Sequence, residues 1–150
     1  MTRRENEDCS VIDRPNWNTY FMEIARVVST RATCPRKAVG AVLTDEYNRI
    51  ISTGYNGAPS KTDQCDEKGC DLDERGHCTR TLHAECNTLL HADNARVSGG
   101  RLYIWGYSPC LSCAKMVVTS GINRVFATEV YDQKAVAFLE KNGVKVILVK

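Results

Sequence analysis

Two short motifs constrain this chain more than any other feature: His83-x-Glu85 and Pro109-Cys110-x-x-Cys113. One imidazole and two thiols are ligands that Zn²⁺ takes, and three protein ligands leave one tetrahedral position open, as in catalytic rather than structural zinc sites. Zinc in such a site lowers the pKa of its bound water to about 7. Glu85 is too close to His83 to be an independent ligand and is well placed to move a proton. The fold must therefore bring two distant segments to one metal ion.

The rest of the chain alternates between strand and helix patterns. After an opening helix, strands at 39–44 and 49–55 form a hairpin, and helices then alternate with three further strands. This order predicts an α/β fold with a five-stranded mixed sheet flanked by helices, in which the late strands pair in parallel. The predicted helices cover 15–30, 83–93, 109–120 and 132–142, and the late strands cover 101–105, 124–128 and 144–149.

Both metal-binding motifs are predicted to open helices. Pro109 suits the first helical position, where its missing N–H is not needed. Cys110 and Cys113, at i and i+3, can then point from one face of the first turn. The helix that begins near His83 is expected to bury Ala84, Leu89 and Leu90.

Composition and charge predict one soluble domain spanning residues 1–150, with residues 1–14 as a mobile N-terminal lead-in. The net charge is only +2 and no long run of Lys or Arg occurs, which argues against a nucleic-acid partner. No apolar run suits a signal peptide or a membrane span, so we expect a cytoplasmic protein with no membrane partner. In a reducing compartment, eight cysteines suggest metal ligands or buried thiols rather than disulfides.

A cysteine-rich segment lies between the hairpin and His83. Residues 57–80 carry almost no apolar side chains, and so long a loop in a compact domain is usually functional or held in place by something. Cys65, Cys70 and Cys78, with Cys34 upstream, could form a second, structural zinc site, and His77 is an alternative ligand. Scattered free thiols are the competing interpretation.

A histidine followed two residues later by glutamate, and then by Pro-Cys-x-x-Cys, is the signature of zinc deaminases that act on cytosine or adenine. From about Trp17 to Val149 the chain resembles the deoxycytidylate deaminases of the cytidine-deaminase-like superfamily. Further matching stretches are residues 39–42, the run Gly54-Tyr55-Asn56-Gly57-Ala58-Pro59, and Gly121-Ile122. The resemblance implies a five-stranded sheet flanked by helices and hydrolysis of dCMP to dUMP and ammonia, which feeds thymidylate synthesis. It also implies a homo-hexamer that dCTP activates and dTTP inhibits, usually with Mg²⁺ on the triphosphate.

The resemblance assigns roles to individual residues. It makes Glu85 the proton shuttle between water, the base and the leaving ammonia. Asn56 matches an asparagine that contacts the substrate sugar, and Tyr131 matches a loop tyrosine near the substrate phosphate. The implied zinc ligands are His83, Cys110 and Cys113, and the further substrate-binding positions are Ala84, Ser108 and Pro109.

The sequence leaves alternatives for the groups that contact the phosphate and the effector. Asp132 follows Tyr131 where relatives often carry a basic residue or histidine, so its carboxylate must turn away or the phosphate must be held elsewhere. Arg36 and Lys37 are the alternative phosphate ligands, for substrate or effector, and the competing interpretation is solvated loop charge. The effector region implied by the resemblance is Gly54, Tyr55 and Gly57, whose glycines would let a triphosphate approach exposed backbone N–H groups.

The sequence is also compatible with a different deaminase substrate and with a different class of protein. Free cytidine or the adenosine of a tRNA is the alternative deaminase substrate, although a tRNA enzyme would need a broader basic surface. A zinc-stabilised nucleic-acid-binding module is the alternative class of protein, with His83 and the cysteines purely structural. Glu85 distinguishes the two classes because it has no necessary role in a structural zinc site.

Overall fold

The computed structural model describes residues 11–149. Most of the predicted lead-in, residues 1–10, lies outside this range. The elements in chain order are α1 (Trp17–Ser29), β1 (Gly40–Thr44), β2 (Ile50–Tyr55), α2 (Cys65–Lys68), α3 (Ala84–Leu90), α4 (Asn94–Val97), β3 (Arg101–Tyr107), α5 (Leu111–Ser120), β4 (Arg124–Glu129), α6 (Gln133–Lys141) and β5 (Lys145–Leu148).

The five strands form one mixed sheet in the order β2-β1-β3-β4-β5. Strand β1 runs antiparallel to both β2 and β3, whereas β3, β4 and β5 are parallel to one another. The predicted five-stranded mixed sheet and its antiparallel hairpin are therefore confirmed. Parallel neighbours need crossover connections, which here contain α5 and α6.

Apolar side chains alternate between the two faces of the sheet, because successive residues of a strand point to opposite sides. On one face, α1 packs over a cluster in which the Tyr103 and Phe126 rings stack 4.5 Å apart. On the other face, Ala41 pairs across strands with Ile104 beneath α3 and α5. The buried residues that the helices α3, α5 and α6 contribute to this second layer are Ala84, Ala114, Val117, Ala135 and Leu139.

Several predicted boundaries were wrong. The 83–93 helix ends at Leu90, and a separate helix α4 follows because the Asp93 side chain accepts a hydrogen bond from Ala95 N and caps it. Leu90 is 66% exposed rather than buried, since it lies two residues beyond the buried Thr88 and so on the opposite side of α3. The 57–80 segment contains the one-turn helix α2.

Within residues 11–149, no helix has both the length and the apolar character that a bilayer span requires.

Candidate active site

Two helix starts hold the three candidate zinc ligands. His83 is the N-cap residue of α3, Cys110 is the N-cap residue of α5, and both have extended backbone. Cys113 lies in the first turn of α5, two residues after it begins at Leu111. Pro109 was predicted as the first helical residue and instead precedes the cap, because the extended backbone of Cys110 delays the helix. The predicted meeting of two helix starts at one point is confirmed.

The distances among the three side chains suit a zinc ion. The His83 Nδ1 lies 3.5 Å from the Cys110 Sγ and 3.4 Å from the Cys113 Sγ, and all three ligand atoms fall within 4.8 Å of one another. Bond lengths of about 2.1 Å to nitrogen and 2.3 Å to sulfur put neighbouring ligands of tetrahedral zinc about 3.6 Å apart. These residues could therefore hold Zn²⁺ without rearrangement.

Hydrogen bonds within the same group shift the pKa values of all three side chains. Hydrogen bonds from Cys113 and His83 lower the pKa of the Cys110 thiol to about 4, although burial opposes the shift. The hydrogen bond to Cys110 raises the pKa of His83 above its usual value. The pKa of Cys113 is raised, chiefly because its thiol donates to Cys110. These hydrogen bonds favour the thiolate form of Cys110, which is the form that binds a metal ion.

Glu85 is the buried acid of the site. It is the second residue of α3 and only 5% exposed. Burial raises the pKa of its carboxyl to about 7, and the positive charge of His83 opposes the shift. A carboxyl with that pKa can both accept and donate a proton near neutral pH. A divalent cation beside it would favour the carboxylate form.

Glu85 and two of the candidate ligands, His83 and Cys110, line a cleft of about 570 Å³. The cleft also collects predicted substrate residues from distant parts of the chain. Its lining consists of Cys34, Arg36, Lys37, Val39, Asn56, Gly76, His77, Cys78, Thr81, His83, Ala84, Glu85, Tyr107, Ser108, Cys110 and Tyr131. Of the predicted substrate positions that the structure describes, Pro109 alone is not part of this lining.

Asn56 is 8% exposed and fastens one wall of the cleft. Its side-chain oxygen accepts from Val39 N at 2.8 Å, and its side-chain nitrogen donates to the Lys37 carbonyl at 2.7 Å. Asn56 therefore ties the segment that carries Lys37 to the end of β2, a contact that the sequence analysis did not foresee. Its place in the cleft lining is compatible with the predicted contact to a sugar.

Arg36 and Lys37 bring positive charge to the cleft. The Arg36 guanidinium donates to the Gly76 carbonyl at 2.8 Å. The Lys37 ammonium lies 4.3 Å from the centre of the Tyr107 ring and 4.0 Å from a carboxylate oxygen of Glu129. Both side chains thus have specific partners at the cleft, which the interpretation as solvated loop charge did not predict.

The loop after β4 fixes the direction of the Asp132 side chain. Its carboxylate accepts from Lys134 N at 2.9 Å and caps α6, so it turns toward its own helix. Tyr131 keeps its place at the cleft because its N–H donates to the Ser108 hydroxyl at 3.0 Å. Of the two outcomes that the sequence left open, the carboxylate turning away is the one observed.

The predicted effector region has a different local structure from the one expected. A Cβ atom on Gly54 would lie 2.6 Å from Thr88 N and 2.8 Å from the Ala84 carbonyl, so this glycine lets α3 pack closely on β2. The N–H of Gly57 donates to the Leu82 carbonyl. The N–H of Gly57 is therefore used within the fold rather than exposed to a phosphate, contrary to the prediction. At Gly54, close packing against α3 accounts for the glycine. Tyr55, 36% exposed, remains accessible.

Three of the four thiols predicted for a second zinc site cluster together. The Sγ atoms of Cys65, Cys70 and Cys78 all lie within 4.8 Å of one another, and those of Cys65 and Cys78 are 3.5 Å apart. Cys34 is outside this set of three but lines the cleft beside Cys78. His77, the alternative ligand, also faces the cleft.

Tyr107 is a cleft residue that the sequence analysis missed. It is the last residue of β3, which extends two residues beyond its predicted end at 105. Its ring lies 5.7 Å from that of Tyr131. The alternation Tyr103, Trp105, Tyr107 would have indicated the longer strand, and ligands of α/β sheets usually bind at the carboxyl ends of parallel strands.

Comparisons with known proteins agree with this geometry. The model of the family described as "Cytidine and deoxycytidylate deaminase zinc-binding region" matches residues 15–129. The chain is 36% identical to ComE operon protein 2 of Bacillus subtilis (strain 168), over 90% of this chain and 72% of that protein. It is also 36% identical to the deoxycytidylate deaminase of Saccharomyces cerevisiae, over 89% of this chain but only 45% of that longer protein.

A solved structure extends the likeness to the whole fold. The crystal structure of dCMP deaminase from the cyanophage S-TIM5, in complex with dCMP and dUMP, superposes with a TM-score of 0.77 at 28% identity, covering 92% of this chain and 100% of that one. The family match covers all three candidate zinc ligands and Glu85. The chain belongs to the cytidine and deoxycytidylate deaminase family and has its cytidine-deaminase-like fold.

Proposed function

We propose that this protein is a zinc-dependent deaminase that hydrolyses dCMP to dUMP and ammonia, with dUMP supplied to thymidylate synthesis. The observation that carries the proposal is the convergence of the His83, Cys110 and Cys113 ligand set with the buried Glu85 in one cleft. A purely structural zinc site has no use for a buried carboxyl with a pKa of about 7. The similar cyanophage enzyme is a dCMP deaminase that binds dCMP and dUMP.

In this proposal the chain's own residues bind the metal and move the protons. His83, Cys110 and Cys113 hold Zn²⁺, which when bound makes hydroxide available near neutral pH. Glu85 accepts a proton from the attacking water and delivers it to the ring nitrogen N3, while C4 of the cytosine gains oxygen. Glu85 then assists the departure of the amino group as ammonia, so one water enters and one ammonia leaves.

Positive charge in the cleft supports a nucleotide rather than a free nucleoside as the substrate. Arg36 and Lys37 lie on the same wall, and Asn56 ties that wall to β2. In the proposed complex, Arg36 and Lys37 bind the phosphate, Tyr131 lies beside it, and Asn56 contacts the sugar of the nucleotide. Charge-assisted hydrogen bonds to phosphate are about twice as strong as neutral ones. The test is the relative kcat/KM for dCMP and deoxycytidine, which differ only in this phosphate.

We also propose regulation of a homo-hexamer, with dCTP as activator and dTTP as inhibitor, each carried with Mg²⁺. This part rests on the family resemblance and on the accessible Tyr55 beside Asn56. The glycines of the same motif serve packing and backbone pairing, so Tyr55 is the residue of the motif whose substitution is informative.

A further inference from the structure

The cysteine cluster beside the cleft has the dimensions of a metal site. The Cys65 and Cys78 Sγ atoms are 3.5 Å apart, and Cys70 completes a set within 4.8 Å. Four thiolates about 2.3 Å from a tetrahedral zinc ion lie about 3.8 Å from one another. The Thr81 hydroxyl donates to the Cys78 sulfur at 3.3 Å, the kind of outer contact that orients a metal ligand.

A fourth thiol stands next to this set. The Thr33 hydroxyl donates to the Gln64 side-chain oxygen at 2.8 Å, and these two residues directly precede Cys34 and Cys65. The two cysteines are therefore carried on segments that are fastened side by side. Cys34 also lines the catalytic cleft together with Cys78, one of the three clustered thiols.

The chain between Cys70 and Cys78 forms a second wall of the catalytic cleft through its last three residues, Gly76, His77 and Cys78. It folds as a tight turn in which the Asp73 carboxylate accepts from Arg75 N at 2.9 Å and from His77 N at 2.8 Å. Gly76 in this turn accepts the hydrogen bond from Arg36. Nearly all of the turn is exposed, so it has little hydrophobic core of its own to fix it.

We propose that Cys65, Cys70 and Cys78, with Cys34 as the fourth ligand, bind a second zinc ion that holds this wall and thereby positions Arg36 for the substrate. Both ends of the turn would be anchored at the metal, and the Gly76 carbonyl would orient the Arg36 guanidinium. Zinc binding does not depend on the proposed function, whereas the effect on substrate does rest on it. Arg36 is then the binding group, and the metal acts through it.

The metal is tested by counting zinc in purified full-length protein. We expect about two zinc ions per chain in the wild type and about one in Cys70→Ser. Cys86→Ser, outside both clusters, is the matched control and should keep about two. His83→Ala should lose the other zinc and keep this one. Cys70→His retains a zinc ligand and should restore the count if Cys70→Ser folds poorly. A wild-type count near one would overturn the site.

The proposed effect of the metal on the turn between Cys70 and Cys78 can be measured without catalysis, by proteolysis. Trypsin cleaves after Arg75, which lies inside the turn that the hydrogen bond from Gly76 N to the Asp73 carbonyl closes. Losing the metal anchor should make that bond at least about tenfold more susceptible in Cys70→Ser than in wild type, because cleavage follows the population of the opened loop. Cleavage at the wild-type rate in a variant that has lost one zinc would show that the metal does not hold the wall.

The link to substrate is tested by a double-mutant cycle on the KM for dCMP. Cys70→Ser and Arg36→Ala should each raise KM by roughly tenfold with little change in kcat, and the double variant should be no worse than Arg36→Ala. The KM for deoxycytidine should change little in any of them. Additive effects would overturn the coupling through Arg36. Absence of dCMP turnover in every variant, with zinc counts as expected, would refute the proposed function and leave the metal site standing.

Discussion

At the residue scale, the site depends on burying one carboxyl beside a cation-binding group. Glu85 is 95% shielded from solvent, which raises its pKa to about 7, and the neighbouring His83, Cys110 and Cys113 side chains can hold a metal ion. The motif residues could be predicted from sequence because their spacing follows from ligand chemistry. The partner of Arg36 could not, because a hydrogen bond to Gly76 joins residues 40 positions apart and no local pattern records it.

Replacing Glu85 by glutamine tests its role as proton carrier. Glutamine is nearly the same size but cannot shuttle a proton, so we expect Glu85→Gln to keep its zinc while kcat for dCMP falls by about 10²–10⁴ or more. Zinc analysis and steady-state kinetics on the same preparation check both parts. Cys86→Ser, at the next position on α3, is the control for local disturbance and should retain zinc. Near-normal turnover by zinc-loaded Glu85→Gln would remove Glu85 from the mechanism.

At the scale of elements, close helix-to-strand packing positions the ligands. Gly40 and Gly54 lie on adjacent strands and face opposite sides, where they admit the backbones of α1 and α3. The strand and helix order was predictable because apolar periodicity is local. The short helices α2 and α4 were not, since one turn carries too little periodicity to distinguish it from a loop. The role of Gly54 was also hidden, because a glycine's neighbours are set by tertiary packing.

Gly54→Ala should move α3, which carries His83 at its cap, away from β2. Since the new Cβ would meet backbone atoms that cannot turn aside, we expect a loss of about 1–3 kcal/mol in the free energy of unfolding. Denaturant titration measures this loss. Thr53→Ala, at the preceding exposed position of β2, should change stability by less than about 0.5 kcal/mol. Equal stabilities for the two variants would contradict the packing role of Gly54.

At the scale of the whole molecule, regulation requires that effector binding changes the affinity of every active site for substrate. The resemblance links residues 54–57 to effector binding. Two of these residues have structural roles, because Gly54 packs against α3 and Gly57 pairs with Leu82. Tyr55 is the accessible member of that motif, at the end of the edge strand β2. An effector at this edge would lie next to Asn56 and so next to the wall that carries Lys37.

We therefore expect sigmoidal dCMP kinetics that dTTP inhibits and dCTP relieves, with a coupling of about 1–3 kcal/mol, or roughly 5–150-fold in apparent affinity. Titrating both triphosphates with Mg²⁺ at subsaturating dCMP measures this coupling. Tyr55→Ala should blunt the response more than it lowers activity at saturating dCMP. Tyr47→Ala, at an exposed tyrosine in the turn between β1 and β2, is the matched control. Hyperbolic kinetics that ignore both triphosphates would remove the regulatory proposal.

The most direct test of the central claim is the product that zinc-loaded protein forms from dCMP. We predict equal amounts of dUMP and ammonia, loss of the activity on chelation and its return with Zn²⁺. We also predict a kcat/KM for dCMP at least about tenfold above that for deoxycytidine, the size of effect expected from a charged hydrogen bond to the phosphate. Folded, zinc-loaded protein that forms no dUMP from dCMP, or that deaminates deoxycytidine or cytidine equally well, would contradict the account.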